Sequence, residues 1–300
     1  MSDVVFKMKE CQTFHPFIIA LFFVFTIVFC MFSMNPVYLM LSLLMGIIVN
    51  IKLNSLIQLK KIIAFIIFFI VISIIINGLF VHQGFTILFF MNDNPITLEA
   101  LVYGLSFALM ISATLIWFNN LSLVMDTDKV VYLLGRFSPL LAFIISLVLR
   151  YIPYLQNYYK KINDINKVNY HDQNKALLKK LGRSISSFLA LLTFVFENSL
   201  DTVNAINALG YGSKRRTSFH LYHFEKRDLW ALIIIVAFFG LSIFLYYDTK
   251  QVFYYYPSIS TVKLDLLSII GYLSYFIYLL LPLGFEKEEE LRWKLSISKI

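Results

Sequence analysis

Residues 62–81 read IIAFIIFFIVISIIINGLFV, twenty residues without a single charge. A helix needs about 20 apolar residues to cross the hydrocarbon core of a bilayer. A backbone in lipid must satisfy its own hydrogen bonds, so we expect this stretch to be helical. Hydrophobic residues make up 59% of the 300-residue chain and charged residues 15%, whereas a soluble domain is about a quarter charged. The sequence therefore predicts an all-α integral membrane protein.

Six stretches are long and apolar enough to be predicted as transmembrane helices. Four lie in an N-terminal membrane domain, 1–118, and two in a C-terminal hairpin, 229–300, which ends in a tail of mixed charge. Between them lies a predicted cytoplasmic or interfacial module, 119–228. The first span has no small-residue cleavage site behind it, so we expect it to be retained. The predicted spans are Pro16–Phe32, Val37–Ile51, Ile62–Val81, Leu98–Phe118, Leu229–Tyr247 and Leu264–Phe285.

The positions of the cations predict the orientation of the chain. If both termini are cytoplasmic, only Lys250 and Lys263 of the 26 Lys and Arg residues fall on the outer side. This bias follows the positive-inside rule, and it also explains the formal net charge of +8 without any binding of nucleic acid. We therefore predict a multi-pass protein with cytoplasmic N- and C-termini.

The module 119–228 carries more than half of the basic residues and contains two predicted amphipathic helices. The first begins near Ile152, with Pro153 close to its start, and apolar residues recur in it at spacings of three and four. The stretch Leu140–Leu149 before it is apolar enough to enter the bilayer, and a full crossing there would reverse the later topology. One face of the helix is Ile152, Leu155, Tyr159 and Ile162, and the other is Gln156, Lys160, Asp164 and Lys167.

The second amphipathic helix is predicted over Leu192–Leu209, after the polar linker Tyr170–Arg183. Gly210 follows it at the position of a left-handed C-cap, and three consecutive cations come soon afterwards. Cations are favourable near the negative end of a helix, and they can also face anionic headgroups or an acidic partner. One face of this helix is Phe196, Leu200, Val203 and Ile206, and the other is Glu197, Asp201 and Asn204.

Motifs for chemistry are missing from the sequence. It has no phosphate-binding G-x-x-x-x-G-K-[ST] motif, no hydrolase signature and no implied cofactor. His220 and His223 have no third ligand nearby, and Cys11 and Cys30 lack metal or redox spacing, so no metal site is expected. Charged residues reach only the ends of the predicted spans, which disfavours a pore or ion-coupled carrier acting alone.

Two alternative functions stay open at this point. One is an intramembrane enzyme with a polar centre formed by Asn77, Glu197, His220 and His223. The other is a free-standing channel or carrier. Either would be active without partner proteins.

Several segments together resemble a known family. The helix FVFENSLDTVNAI, 194–206, is followed by NALGYGSKRRTSFHLYHFEKRD, 207–228, which resembles the second coupling motif of the transmembrane T component of energy-coupling factor transporters. TFHP at 13–16, NDNPITLEALVYG at 92–104 and LGRFSPLLAFIISLVLRYIP at 134–153 add to the resemblance, in the family's order.

The resemblance implies a non-catalytic subunit of an importer for vitamins or metal ions. Two cytoplasmic ATPase subunits would bind the ends of the two coupling helices, and a separate membrane subunit would bind the cargo. In the family each coupling motif carries an arginine that is expected to pair with acidic groups of an ATPase. The second motif falls on Ala208, Leu209 and Gly210, and the first on Val168, Asn169 and Tyr170, so Leu209 and Asn169 replace the arginines.

This departure leads to a hypothesis about the joint with the ATPases. Leu209 and Tyr211, next to the Gly212 turn, would fill an apolar pocket of an ATPase groove. Cations would supply the electrostatic complement, unless they only contact lipid headgroups. These cations are Lys214, Arg215 and Arg216 near the second motif, and Lys160, Lys161 and Lys167 near the first.

Overall fold

A computed structural model describes residues 14–53, 56–91, 94–169, 177–210, 222–249, 251–262 and 265–297. In these ranges the chain forms nine helices and one antiparallel two-stranded sheet. The fold is therefore mostly helical, as predicted. The helices are α1 (Pro16–Phe32), α2 (Pro36–Leu53), α3 (Leu56–Phe80), α4 (Leu98–Val124), α5 (Thr127–Phe137), α6 (Pro139–Asn169), α7 (Leu177–Ala208), α8 (Lys226–Asp248) and α9 (Leu266–Ile297), and the strands are β1 (Ile87–Met91) and β2 (Asn94–Thr97).

Six helices are long and apolar enough to cross a membrane, and they differ in one member from the six predicted. Five predicted spans lie in α2, α3, α4, α8 and α9. The sixth candidate is Pro139–Ile165 in α6, whereas Pro16–Phe32 forms an apolar helix of only 17 residues. Leu140–Leu149 is thus continuous with the first amphipathic helix, so Pro153 lies inside a helix and not near its start.

Several helices are also longer than the sequence predicted. α4 continues six residues past Phe118. The second amphipathic helix begins at Leu177, because the predicted linker is helical from that residue onward. α9 continues past Phe285 to Ile297 through the predicted tail.

The chain forms two compact units. Unit 1 comprises 1–129 and 222–300, and unit 2 comprises 130–221. Unit 1 contains α1 to α4, the β1–β2 hairpin, α8 and α9, whereas unit 2 contains most of α5 together with α6 and α7.

The core of unit 1 is built around Trp117 of α4, which is fully buried. Its ring meets Phe22 and Phe23 of α1 edge-on, with centroids 5.8 and 5.9 Å apart. Its indole nitrogen donates to the backbone oxygen and the hydroxyl of Ser42 on α2, at 3.1 and 2.9 Å. A buried indole stabilises best when its N–H has a partner. One side chain therefore joins three helices.

Tyrosines of α9 add polar links to this aromatic core. Tyr278 is buried and donates its hydroxyl to the backbone oxygen of Phe22 at 2.9 Å. The Tyr38 hydroxyl of α2 donates to the Gln251 side chain at 2.5 Å, and the amide of Asn35, just before α2, donates to the Gln251 backbone oxygen at 3.0 Å. Since lipid offers no hydrogen bonds, these paired groups fix the helices of unit 1 relative to each other.

Two glycines permit close approach of neighbouring helices to α4. A Cβ on Gly46 of α2 would lie 2.8 Å from the Ile116 side chain. A Cβ on Gly104 would lie 3.1 Å from the Ser73 backbone oxygen of α3, and the Ser73 hydroxyl donates to the Gly104 oxygen at 3.1 Å. Small residues at such crossings let helix backbones pack closely in membranes.

The segments TFHP and EKRD, both part of the resemblance, meet in unit 1. The carboxylate of Asp228 accepts the backbone N–H of Glu225 at 3.1 Å and that of His15 at 3.4 Å. The Arg227 guanidinium lies 4.3 Å above the Phe14 ring. A carboxylate is favourable near helix N-termini, so Asp228 helps to hold the start of α1 beside the start of α8.

Candidate functional site

Helices α6 and α7 of unit 2 pair in an antiparallel arrangement. The Tyr151 hydroxyl contacts the Thr202 hydroxyl at 2.5 Å. Further along α6, the Tyr158 ring stacks on Phe194, with centroids 3.6 Å apart and an interplanar angle of 10°. Residue numbers rise along α6 as they fall along α7, so the two helices run in opposite directions.

The paired face of α6 differs by about one residue from the predicted apolar face. Leu155 and Ile162 are half-buried, as expected for the covered side. However, Tyr158 makes the stacking contact, whereas Ile152 and Tyr159 are 45% and 43% exposed. Ile152 and Tyr159 of the predicted apolar face therefore remain uncovered by α7, since the stack of Tyr158 on Phe194 sets the rotation of α6.

Helix α7 places a mixed face against α6 and leaves most of its apolar face uncovered. Asn198 and Thr202 are half-buried, together with Ile206 from the predicted apolar face. Among the unit 2 side chains with described burial, only Ser187 is buried. Such a long apolar surface marks contact with lipid or protein. The exposed stripe, called the α7 stripe below, consists of Ile185, Phe188, Leu189, Leu192, Phe196, Leu200 and Val203.

The second motif lies at the end of α7. The helix ends at Ala208, and Gly210 has φ +80°, so the predicted left-handed C-cap is confirmed. The Gly210 N–H donates to the Asn207 oxygen at 3.0 Å. Leu209, in the place of the family arginine, is 87% exposed. The Leu209 side chain therefore contributes almost nothing to the core of unit 2.

The first motif lies at the other end of the α6–α7 pair. Val168 and Asn169 are the last residues of α6, and their side chains are outside what the structure describes, as is that of Lys167. Lys160 and Lys161 are exposed on the same helix. The remaining predicted contact residues lie outside the described ranges: Tyr170, Tyr211, Gly212, Lys214, Arg215 and Arg216.

The two motif ends are far apart along the pair. The contact between Tyr151 and Thr202 marks a common level. At about 1.5 Å per residue, Asn169 lies about 27 Å from this level in one direction and Leu209 about 10 Å in the other. The separation of roughly 35–40 Å exceeds the ~30 Å diameter of a small domain.

The described residues contain no cluster of catalytic or metal-binding side chains that would form a reactive centre. No three His, Cys, Asp or Glu side chains lie together in the described ranges. Of the residues considered for an enzyme, Asn77 donates to the Ser73 oxygen within α3, while Glu197 and His223 are exposed. His220 lies outside the described ranges.

The pKa of one side chain in the segment 207–228, that of Tyr222, is shifted from its ordinary value. Burial raises the pKa of the Tyr222 hydroxyl, and the nearby carboxylates of Asp128 and Asp126 raise it further. A phenol is neutral below its pKa, so Tyr222 is held in its neutral form beside the turn between α4 and α5.

Sequence reasoning missed an amide cluster in unit 1. The Asn50 side chain of α2 donates to Asn120 at 2.6 Å and to Asn119 at 3.0 Å, and Asn120 donates to the Gly46 oxygen at 2.9 Å. Amides between membrane helices act as links because lipid offers them no alternative partner. The fourth span was predicted to end at Phe118, before Asn119 and Asn120, so the cluster went unnoticed.

These features define a helical, multi-pass membrane protein with a second unit of long, exposed, paired helices. A comparison with known protein families identifies the family within this class. Residues 12–220 match the family model described as CbiQ, cobalt transport protein. The chain therefore belongs to the CbiQ family, the T components of energy-coupling factor transporters, as its resemblance indicated. This is a family of transport components that is not known to be catalytic. No individual curated protein matches the chain.

Proposed function

We propose that this chain is the non-catalytic coupling subunit of an ATP-driven importer in a prokaryotic plasma membrane. Two cytoplasmic ATPase subunits would bind the two motif ends of unit 2, and a separate membrane subunit would bind a vitamin or metal ion. Movement of the ATPases would then reach the cargo-binding subunit through α6 and α7. The observation that best supports this proposal is the wide separation of the two motif ends on one antiparallel helix pair.

This separation supports binding of two subunits. Ends roughly 35–40 Å apart are too distant for one small domain of ~30 Å to cover both in the same way. Tyr151, Tyr158, Phe194 and Thr202 connect the two helices between those ends. A displacement at one end would therefore be passed to the partner helix through packed side chains.

The exposure of Leu209 supports an apolar contact between this chain and one ATPase. At 87% exposure it has almost all of its side-chain surface free for burial by a partner. Burying a leucine side chain contributes about 1.5–3 kcal/mol, comparable to a charge-assisted hydrogen bond of the family arginine. In this proposal the cations on either side steer the acidic partner but do not replace the arginine contact.

The charges of α7 favour an interfacial position of the α6–α7 pair over a crossing by α6. Thr202 lies level with Tyr151, so a crossing by Pro139–Ile165 would bring the paired part of α7 to membrane depth. That part exposes Glu197 and Asp201, and charges at the bilayer centre are costly. In the proposed topology Pro16–Phe32 crosses instead, paired with α2, and both termini are cytoplasmic.

The α7 stripe is proposed as the contact with the cargo-binding subunit or with lipid around it. Phe196 and Leu200 are each 69% exposed and lie on the side opposite to the α6 contact. An apolar stripe along an interfacial helix can bind a membrane protein without entering the hydrocarbon centre. It would thus join a cytoplasmic ATPase contact to an intramembrane partner within a single helix.

The joint is tested by replacing Leu209→Asp in the complex purified from its own membranes in mild detergent. We expect ATPase binding to weaken by a factor of roughly 10 to 100, because about 1.5–3 kcal/mol of leucine burial is lost. Asn207→Asp is the matched control, since it adds the same charge two residues away and removes no apolar group. Leu209→Arg, which restores the family residue, is expected to retain the ATPases.

Subunit stoichiometry from mass spectrometry is the measurement for all three variants. Two ATPase chains per copy of this chain are expected for the parent and for Asn207→Asp. Undiminished ATPase recovery and transport with Leu209→Asp would contradict the proposed joint. Transport by the chain purified alone would contradict the proposed function itself.

A further inference from the structure

The segment between α3 and α4 forms a hairpin that the coupling function does not use. β1 pairs with β2 in antiparallel register, with Phe89 opposite Ile96 and Phe90 opposite Pro95. β2 is the inner strand, since Ile96 and Thr97 are buried. β1 is the outer strand, and all five of its residues are exposed. The sequence of β1 is ILFFM.

β1 is apolar on both of its faces. Successive side chains of a strand point to opposite faces, so Phe89 and Phe90 cannot both lie against the protein. They are 53% and 67% exposed. A strand beside water has one polar face in the usual antiparallel arrangement. Exposed apolar side chains on both faces indicate surroundings other than bulk water.

The hairpin is held in place by the start of α4. The Glu99 carboxylate is buried and accepts the backbone N–H groups of Phe85 and Thr86, at 3.3 and 3.1 Å. The Thr97 hydroxyl donates to the Gln83 oxygen at 2.8 Å. Gly84 has φ +139° and lies against Glu99, where a side chain would not fit. β1 therefore presents its apolar residues from a fixed base.

The location of this base fixes the depth of the hairpin. α3 is a candidate span whose apolar surface is largely exposed, and the exposure continues through Leu79 and Phe80 at its end. The hairpin follows at the level where this span leaves the hydrocarbon. Among the described residues β1 pairs only with β2, so its outer edge carries backbone groups that need polar surroundings. The boundary of headgroups and acyl chains accommodates both the apolar side chains of β1 and the polar groups of its outer backbone edge.

We propose that the β1–β2 hairpin is a membrane anchor whose outer strand inserts into the headgroup and acyl boundary of the leaflet at which α3 ends. In the proposed orientation this is the outer leaflet. Phe85, Phe89 and Phe90 are the main side chains that partition into lipid, as interfacial aromatic and apolar residues do. The anchor fixes the depth of α3 and α4 through Glu99.

Spin labelling of the full-length chain in liposomes tests the anchor. Nitroxides are attached to Phe89→Cys and Phe90→Cys, which sample the two faces of β1. Ser258→Cys, an exposed polar residue in the loop between α8 and α9, is the matched control. Cys11 is replaced by serine, whereas Cys30 is 1% exposed and stays. The Cys11→Ser chain without an added cysteine measures any labelling of Cys30.

Both labels on β1 are expected to be accessible to oxygen and protected from a water-soluble nickel complex. Calibrated with spin-labelled lipids, they should lie roughly 5–10 Å into the boundary of headgroups and acyl chains. The Ser258→Cys label should show the opposite accessibility. Nickel access at position 89 or 90 equal to that at 258 would overturn the proposal.

The same labels measured in the complete complex separate lipid from a protein partner. The anchor predicts that oxygen accessibility at 89 and 90 stays high after assembly. Loss of access to both oxygen and nickel would show that a protein covers β1, which contradicts a lipid anchor. The measurement on the chain alone in liposomes needs no ATPase, so the anchor and the coupling function fail independently.

Discussion

Unit 1 and unit 2 stabilise their helices in different ways. In unit 1 the buried rings of Trp117, Tyr275 and Tyr278 lie in one core shared by several helices. In the described part of unit 2, only Ser187 is buried. A unit with so little core gains little from its own packing, because folding stability comes mainly from apolar burial. Unit 1 therefore has a core of its own, whereas the described part of unit 2 leaves most of its apolar surface uncovered, as the proposed partner contacts require.

The largest effect is expected from removing the central ring of unit 1. Trp117→Ala should lower the free energy of unfolding by about 3–5 kcal/mol, since it leaves a cavity between three helices and removes the indole donor to Ser42. Unfolding of the purified chain in mixed micelles, followed by near-ultraviolet circular dichroism, measures this loss. Trp230→Ala is the matched control because Trp230 is 65% exposed on α8. Equal losses for both variants would mean that Trp117 does not organise the core.

A smaller effect is expected at the amide cluster of α2 and α4. Asn120→Ala removes an acceptor of the buried Asn50 side chain and a donor to Gly46, so we expect a loss of about 1–3 kcal/mol. Asn119→Ala should cost less, because Asn119 is half-buried and makes one of the two contacts to Asn50. The same unfolding measurement ranks the two variants. The reverse ranking would show that Asn119 is the main link.

The smallest effect on stability is expected in unit 2, and it tests the observed face of α6. Tyr158→Ala should loosen the α6–α7 pair by about 0.5–1.5 kcal/mol, the range for an aromatic pair. Hydrogen exchange of α7 amides should rise accordingly. Tyr159→Ala should leave exchange nearly unchanged, since Tyr159 lies off the contact face. The prediction fails when Tyr159→Ala has the larger effect, as the amphipathic pattern alone would suggest.

The five predicted spans that match candidate spans of the structure were predictable because each depends on a property of a single continuous segment. Runs such as 62–81 must be helical in lipid whatever their neighbours are. The C-cap at Gly210 was predictable for the same reason, since a positive φ favours glycine locally.

The contacts between segments were not predictable in the same way. The rotation of α6 depends on Phe194, 36 residues beyond Tyr158, and no local pattern distinguishes Tyr158 from Tyr159. The pairing of Asn120 with Asn50 joins residues 70 positions apart, so no local pattern of α4 indicates it. The β1–β2 hairpin was missed because ILFFM lacks the alternation of polar and apolar residues that marks a strand beside water.

Photo-crosslinking from position 209 shows whether the exposed end of α7 contacts an ATPase, as proposed. A photoreactive phenylalanine analogue replaces Leu209 in cells that make the complete transporter, and the same analogue at Leu266, 75% exposed at the start of α9, is the control. We expect position 209 to capture an ATP-hydrolysing subunit and position 266 to capture none, and this capture is the evidence for the proposed contact. Capture of lipid alone at 209, or labelling of this position from outside the cell, would contradict it.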